Sequence, residues 1–325
     1  MQRNRYLKSA SLTFTSSLLL CTYYFSGLPR QTRICLNGKK IAEAAAKHQK
    51  AKFILEAEIE DHAQTESFYC IIKGKNRKEN IIINTHTDGT NCIEENGPIA
   101  LLELIKNMKD MELERTHIFV FTTGHFRLPH FEDIRTGAFQ SASRWLAMHR
   151  ELWDGKGEHF KCVVNLTIEH LGCKEWRETD GEYKYTGKPE VDLVYTGNKF
   201  MDKLYIDTVK YRKTVRTMTL RGHNALHFGE GQNFFTMGIP EISLVPAPYY
   251  LCVMSDSHEM EKFDLDLMVE QTETFANLIE QIESITAKDL GKSDGYSFIR
   301  VKSVSGGFDF SIKGLFEKIY SGFKS

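Results

Sequence analysis

From about residue 50 to residue 286 the chain alternates short apolar runs with longer amphipathic stretches. Period-two alternation, or a short run of β-branched and aromatic residues, predicts strands at 52–60, 67–73, 80–86, 117–122, 161–168, 191–195 and 241–245. Helical spacing predicts helices at 97–109, 138–150 and 264–286, with Asp264 as the N-cap of the last. Strands that alternate with helices indicate an α/β fold, with a mostly parallel, mixed sheet flanked by helices on both faces.

The amino-acid composition indicates a globular protein but does not indicate its function. With 41% hydrophobic and 26% charged residues, the 325-residue chain has the balance of a globular protein. A net charge of −1 provides no electrostatic basis for binding nucleic acid or an acidic membrane surface. The seven cysteines form no CxxC pair, and their odd number favours buried thiols over a fully paired disulfide framework. The sequence has neither a P-loop nor a G-x-S-x-G motif, which weighs against a nucleotide enzyme or a serine hydrolase.

The two ends of the chain differ in character from the middle. Basic residues at 3, 5 and 8 precede the apolar run 12–21, which has the outline of a signal peptide but is diluted by Ser and Thr. The alternative is that residues 1–50 are the remnant of a truncated upstream module. Residues 51–287 form the predicted α/β domain, and 288–325 form an extension of unknown role. No stretch of the sequence is predicted to cross a membrane.

The segment 84–97 (NTHTDGTNCIEENG) carries the strongest chemical signal. It joins a predicted buried strand to a predicted helix, so its polar residues lie at the carboxyl end of a strand, where open α/β sheets bind ligands. Residues two apart in a strand point the same way, so His86 and Asp88 can touch. A histidine oriented by a carboxylate, with Glu94 and Glu95 a short loop away, is typical of a zinc site. The alternative is a polar strand end followed by a solvated acidic turn.

Two further strands end in polar clusters. His125 follows the strand 117–122, and Glu169 and His170 follow the strand 161–168. A single buried histidine is more often a core residue than a ligand. Three such placements in register favour a real site, so we expect His86, Asp88, Glu95 and Glu169 to converge at the carboxyl edge of the sheet.

The order of these motifs resembles that of the M28 zinc peptidases, the aminopeptidase and glutamate-carboxypeptidase-like group. The resemblance covers about 50–286 and rests on H-T-D at 86–88, E-E-N-G at 94–97, G-H-F at 124–126, E-H-L-G at 169–172 and EGQNFFTMGIP at 230–240. It implies a zinc-exopeptidase-like, phosphorylase/hydrolase-like fold. Residues 30–50 resemble the end of a protease-associated (PA) module, which is often inserted upstream in this family.

The resemblance also implies a ligand set. In the family two zinc ions share a bridging acid, and each has further ligands of its own. Here His86 matches the first ligand, Glu169 the later acid, and Glu95 the bridging acid, or Glu94 if the loop is one residue out of register. Alternatively, His125 or His170 could be a ligand.

The departures from the family pattern predict a reduced site. His125 stands where the family has its general-base Glu, and Phe126, which cannot bind metal, stands at a ligand Glu. The late ligand His falls near Met254, a poor zinc ligand, although His258 lies close by. We therefore expect one zinc ion at most, held by His86, Glu95 and Glu169.

The expected activity is metal-dependent hydrolysis of a peptide or a peptide-like amide bond. His125 would act as the proton-transferring base, Asp88 is the second expected catalytic residue, and Glu230 would line the substrate pocket. The alternative is a catalytically inactive relative that binds without turnover. The resemblance favours an extracellular or endomembrane location, and a truncated amino terminus would fit a cytoplasmic one. The oligomeric state stays open.

Overall fold

The structure is a computed structural model. It describes residues 64–125, 141–179, 182–210, 212–214, 216–221, 227–248, 250–251 and 259–294, and the short pieces 44, 46–48, 8–11, 52–55 and 301–305. For the last three pieces the description extends only to strand pairing. The predicted residues Phe126, Met254 and His258 lie outside the described residues.

An eight-stranded mixed sheet forms the centre of the protein. Its strands are β3 (Phe68–Ile72), β4 (Asn76–His86), β5 (Arg115–Thr122), β6 (Lys161–Ile168), β9 (Asp192–Thr196), β10 (Arg216–Arg221), β11 (Glu241–Leu244) and β12 (Val301–Ser305). They lie in the order β12-β10-β9-β11-β6-β4-β5-β3. Four neighbouring pairs are parallel (β10–β9, β11–β6, β6–β4 and β4–β5), and the other three are antiparallel. Two separate two-stranded antiparallel sheets pair β1 (Lys8–Ser11) with β2 (Lys52–Leu55), and β7 (Lys174–Thr179) with β8 (Glu182–Pro189).

Helices connect and cover these strands. They are α1 (Gly97–Met108), α2 (Ser141–Met148), α3 (Lys199–Val209), α4 (Gln232–Thr236), α5 (Leu265–Glu283) and α6 (Ala287–Leu290), with 3-10 turns at Arg150–Leu152 and Glu259–Lys262. The prediction for the longest helix is confirmed, because the Asp264 side chain accepts a hydrogen bond from the Leu267 backbone N–H as an N-cap. Within the described part of the chain, no helix has the length and apolar character needed to cross a membrane.

The core lies on both faces of the sheet, as the apolar run of β4 predicts. Ile81 and Ile83 pack with α1, α3 and α5 on one face, and Ile82 packs with α2 and α4 on the other. All three isoleucines are fully buried. Successive strand residues point to opposite faces, so a strand buried on both sides is apolar at every position. The predicted α/β class with helices on both faces is confirmed.

The pattern of the sequence left several elements unpredicted. The hairpin β7–β8, helix α3 and strand β10 have no counterpart among the predicted elements. Strand β12 lies inside the predicted extension and pairs with β10 at the edge of the sheet. Of the cysteines in the described residues, Cys162 and Cys173 are buried free thiols and Cys70 and Cys92 are half-buried free thiols.

Candidate metal centre

Three neighbouring strands deliver the polar residues of the site to one edge. Strands β5, β4 and β6 lie side by side and are parallel, so their carboxyl ends meet. His86 is the last residue of β4, His125 follows the end of β5, and Glu169 and His170 follow the end of β6. The polar segments that follow β4, β5 and β6 therefore lie together at the carboxyl edge of the sheet, as the sequence predicts.

His86 and His170 face each other at the centre of the site. His86 Nδ1 lies 2.8 Å from the Asp88 carbonyl oxygen, and His170 Nδ1 lies 2.9 Å from the Pro246 carbonyl oxygen. Because a carbonyl oxygen only accepts, each Nδ1 carries a proton, and each ring in its neutral form turns an Nε2 lone pair inward. The two Nε2 atoms are 3.1 Å apart.

Burial opposes the charged form of His170, but its contacts with Glu94 and Glu169 prevail and raise its pKa. Burial, with the neighbouring His125 and His170, lowers the pKa of His86 to about 3.

His170 reaches this position through an unusual backbone conformation. Its φ is +55°, in the left-handed region that non-glycine residues rarely occupy. The turn directs the ring back over β6 towards His86, while the Glu169 side chain beside it is also buried. A strained backbone held in place at a polar cluster is common at functional sites.

Glu94, not Glu95, is the acid that the loop turns inward. Its side chain is 2% exposed, and its Oε1 lies 3.5 Å from His170 Nε2 and 3.2 Å from His125 Nε2. Its Oε2 is buried without a hydrogen-bond partner. Asn91 shapes the loop, since its Oδ1 accepts from the backbone N–H groups of Ile93 and Glu94. Glu95 is exposed, so the structure places Glu94, the alternative acid, in the cluster and Glu95 outside it.

The charge on Glu94 is balanced by its neighbours. Burial by itself raises the pKa of this carboxyl group, but His170 and His125 outweigh that effect and hold the pKa well below its usual range. Glu94 is therefore an ionised, buried carboxylate with one unpartnered oxygen. Such an oxygen is costly in a folded protein unless something binds it.

Asp88 pairs with His125 instead of His86. Asp88 Oδ1 lies 3.0 Å from His125 Nδ1, and Asp88 Oδ2 accepts from the His125 backbone N–H at 3.1 Å. The expected carboxylate contact between Asp88 and His86 is replaced by the Asp88 carbonyl. The His125 ring also stacks on His86, with ring centroids 3.8 Å apart. Burial opposes the charged form of His125, but its contacts with Asp88 and Glu94 prevail and raise its pKa to about 10.

Glu169 lies beside the two central histidines, and Glu230 lies behind it. Glu169 Oε2 is 3.8 Å from Nε2 of both His86 and His170, and Glu169 Oε1 accepts from the Glu230 backbone N–H at 2.7 Å. Burial raises the pKa of Glu169. Glu230 is 1% exposed, and its Oε2 accepts from the Ala142 backbone N–H, so its side chain points towards α2 and does not line an open pocket as predicted.

Within the part of the chain that the structure describes, two sets of three residues bring metal-ligand atoms within reach of one ion, and both contain His86. One set is His86, Glu94 and His170, all buried, and the other is His86, Asp88 and His125. In the second set Asp88 and His125 already pair with each other. The first set offers two Nε2 lone pairs and an unpartnered carboxylate oxygen, so it is the better candidate. Tetrahedral Zn²⁺ at about 2.0–2.1 Å from its ligands separates them by about 3.3 Å, close to the Nε2–Nε2 distance.

Asn96 joins the loop that carries Glu94 to the turn that carries His170. The Asn96 side chain donates to the Leu171 carbonyl and accepts from the Leu171 N–H, both at 2.8 Å. This pair ties the acidic loop to the Glu169–His170 turn. The E-E-N-G motif includes Asn96, but the motif does not reveal its partner, which lies 75 residues away.

No protein-family model matches this sequence, and no curated protein matches it. Among solved structures it is similar to a zinc aminopeptidase from Bacillus subtilis, with a TM-score of 0.50 at 12% identity over 80% of this chain and 59% of that one. This likeness shows the fold, that of an aminopeptidase-like α/β protein.

Two other solved structures have lower scores. An aminopeptidase from an Aneurinibacillus species has a TM-score of 0.45 at 15% identity, over 82% of this chain and 57% of that chain. A leucine aminopeptidase precursor from Bacteroides thetaiotaomicron has a TM-score of 0.47 at 13% identity, over 72% and 79%. The chain spans about half to three fifths of the first structures that it matches.

Proposed function

We propose that this protein is a metal-dependent hydrolase of peptide or peptide-like amide bonds, with a single zinc ion held by His86, Glu94 and His170. The observation that carries the proposal is the pair of inward Nε2 atoms 3.1 Å apart, each fixed by a carbonyl at its own Nδ1. Metal-binding histidines are held in this manner by contacts to the other ring nitrogen. Zinc bound at this position supplies a Lewis acid that polarises a carbonyl.

Glu169 is the proposed fourth protein group near the ion. Its Oε2 is 3.8 Å from both Nε2 atoms, slightly beyond the separation of two ligands of one zinc ion, so a small side-chain movement would bring it into contact. Its other oxygen is held by the Glu230 N–H. Glu169 therefore either binds the metal directly or adds negative charge beside it.

His125 is the proposed proton-transferring residue, oriented by Asp88. It contacts Glu94 and stacks on His86, so it lies beside the proposed ion without belonging to its ligand set. Because its pKa is raised to about 10, both ring nitrogens carry a proton near neutral pH, one facing Asp88 and one facing Glu94, so His125 would donate a proton and would not act as the base expected from the sequence. A His125→Ala change should lower turnover by about 10²–10⁴-fold with little loss of metal.

The sequence resemblance supports the substrate class. The order of motifs resembles that of the M28 zinc peptidases, and the fold is similar to that of a zinc aminopeptidase. We therefore propose a peptide terminus or an acylated or aminoacylated small molecule as the substrate. Phe126 and Met254 stand where that family has ligands, which supports one ion and not two.

Metal content tests the proposal. The protein, purified and dialysed against zinc and then against buffer, should retain about one zinc per chain by elemental analysis. His86→Ala, Glu94→Ala and His170→Ala should each lose it, whereas Glu95→Ala should retain it. His117→Ala is a control for removal of a buried histidine, because His117 lies on β5 outside both ligand sets. The same proteins are then assayed against a panel of aminoacyl and acyl-amino-acid amides.

A folded wild-type protein that binds no zinc would contradict the metal site. Two tightly bound ions would contradict the single-metal proposal. Retention of zinc by folded Glu94→Ala together with its loss in Glu95→Ala would reverse our choice between the two acids.

A binding protein without turnover is the second candidate. The observation that favours it is the position of His125 between the Asp88 and Glu94 carboxylates, where it already forms two ion pairs. Zinc binding without hydrolysis of any amide in the panel would support this candidate over the first.

A further inference from the structure

The central sheet ends at strand β3, and this edge is open in the described part of the chain. Strand β3 (Phe68–Ile72) is the last strand of the sheet, and among the described residues β5 is its one neighbour. The small sheet formed by β1 and β2 does not pair with β3. In an antiparallel pair only alternate residues of a strand bond to the neighbouring strand, so half of the N–H and C=O groups of β3 point away from β5. These groups are free to bond to a further strand.

The side chains of this edge strand are apolar and exposed on both faces of the sheet. Phe68 is 54% exposed, Tyr69 38% and Ile71 40%. Phe68 stacks on Phe121 of β5, on the face that carries α1 and α5. Tyr69 contacts Trp145 of α2 on the opposite face. Apolar side chains therefore flank the open edge above and below the sheet.

The strand has none of the features that usually keep an edge strand from pairing. Natural edge strands are protected by lysine, by proline or by a β-bulge. Residues 68–72 (FYCII) contain no charged residue and no proline. Their pairing with β5 is regular from Phe68 to Ile72, without a bulge. A regular, uncharged and apolar edge favours pairing with another strand.

The strand is complementary to a second copy of itself in the antiparallel direction. A two-fold axis perpendicular to the sheet at Cys70 places the five residues of one β3 opposite the same five residues of the other. Phe68 then lies opposite Ile72 of the partner subunit, and Tyr69 lies opposite Ile71 of the partner subunit. Directly opposite apolar side chains stabilise an antiparallel pair. An axis at Tyr69 would instead place Glu66 opposite Ile72 of the partner subunit, so the axis at Cys70 is favoured.

The charges that flank β3 favour the same direction. Glu66 precedes the strand and Lys73 follows it, and both are exposed. Two antiparallel copies bring the acidic end of each strand beside the basic end of the other. Two parallel copies would bring like charges together, which is unfavourable.

We propose that the protein forms a symmetric dimer in which the β3 strands of two copies pair in the antiparallel direction, with Cys70 at the two-fold axis. The pairing joins the two eight-stranded sheets into one continuous sheet and covers the apolar edge residues. Because the interface uses the same edge of each copy, the assembly closes at two chains. This dimer does not depend on the proposed metal site or on hydrolysis.

Sedimentation equilibrium of the full chain tests the dimer. Wild type should change from monomer to dimer between about 1 µM and about 200 µM, since a small interface of this kind associates weakly. Ile71→Lys should remain monomeric, because it places two lysines diagonally across the axis, and Ile71→Glu should do the same. An equal mixture of these two variants should dimerise, because lysine then faces glutamate. Leu102→Lys, at a position 53% exposed on α1, is the matched control and should dimerise like wild type.

Oxidation with copper phenanthroline tests the position of the axis. Directly opposite residues of an antiparallel pair have Cβ atoms about 4.5–5.5 Å apart, so the two Cys70 thiols should form a disulfide between chains. Peptide mapping by mass spectrometry identifies this disulfide. Cys70→Ser should lose it and should still dimerise. Neither wild-type measurement requires a substituted chain, so a variant that fails to fold does not remove the test.

Each alternative result overturns part or all of the proposal. A folded wild-type protein that stays monomeric over the whole range would show that the β3 edge does not pair. Equal dimerisation of wild type and folded Ile71→Lys would place the interface elsewhere. A wild-type dimer that forms no disulfide at Cys70 would exclude the axis at this residue. Failure of the two folded Ile71 variants to dimerise when mixed would exclude the antiparallel register.

Discussion

Asn96 provides a sharp test of how the two halves of the candidate site are held together. Its side chain is 6% exposed and makes two 2.8 Å hydrogen bonds with the Leu171 backbone, one to the N–H and one to the C=O. Asn96→Ala removes both partners. A buried backbone group left without its partner costs about 1–3 kcal/mol, so for two such groups the expected loss in free energy of unfolding is about 2–6 kcal/mol. Urea unfolding followed by tryptophan fluorescence, with linear extrapolation, measures it.

Asn107→Ala is the matched control for this change. Asn107 lies on the exposed side of α1, and its side-chain bonds go to Glu103 one turn earlier. Its removal should alter the free energy of unfolding by no more than about 0.5 kcal/mol, as is usual at exposed sites. If Asn96→Ala is also within about 0.5 kcal/mol of wild type, the paired hydrogen bonds do not join the loop to the Glu169–His170 turn, and the reasoning is refuted.

Three further predictions concern the surroundings of the site. Gly229→Ala should destabilise the fold and weaken zinc binding, because Gly229 has φ +82° and a Cβ there would lie 2.7 Å from Val245 Cγ2 and 2.9 Å from Glu169 Oε2. The control is Gly157→Ala, where φ is +61° but a Cβ meets open space. In urea unfolding the control should lower the free energy of unfolding by less than Gly229→Ala does. Burial lowers the pKa of His117 to about 4, so protonation at acid pH favours the unfolded state, where the pKa is about 6.5. The free energy of unfolding of wild type should therefore fall as pH falls from 6.5 to 4, by up to about 1.4 kcal/mol per pH unit. His117→Gln should flatten that pH dependence. A chelator should lower the thermal midpoint of the zinc-loaded protein, and excess zinc should restore it; an unchanged midpoint would argue against a bound structural ion.

The α/β architecture could be predicted because its information is local. The apolar run Ile81–Ile82–Ile83 has no polar position, which is possible only for a strand covered on both faces. Helix α5 was predicted from its apolar stripe and from Asp264 as its cap, and both are present. In contrast, strand β10 was not predicted, because its sequence has no apolar run. Four of its buried residues are polar: Arg216, Thr217, Thr219 and Arg221.

The candidate site divides in the same way. The meeting of His86, His125 and Glu169 at one edge could be predicted, because each follows a strand and the carboxyl ends of parallel strands lie together. The choice of Glu94 over Glu95 does not follow, because it depends on the loop conformation set by Asn91 and by the contacts of Glu94 with distant histidines.

By itself, then, the sequence determined the layers of the fold, the strand ends that carry polar residues and the resemblance to zinc peptidases. Only the tertiary structure decided which atoms face each other. His170 turns towards His86 through a left-handed backbone conformation and a bond to the Pro246 carbonyl, 76 residues away. Asp88 takes His125 as its partner because β5 lies directly beside β4. Periodicity records the direction of a side chain from a strand or helix, whereas loop dihedrals and contacts between distant segments arise only when the whole chain packs.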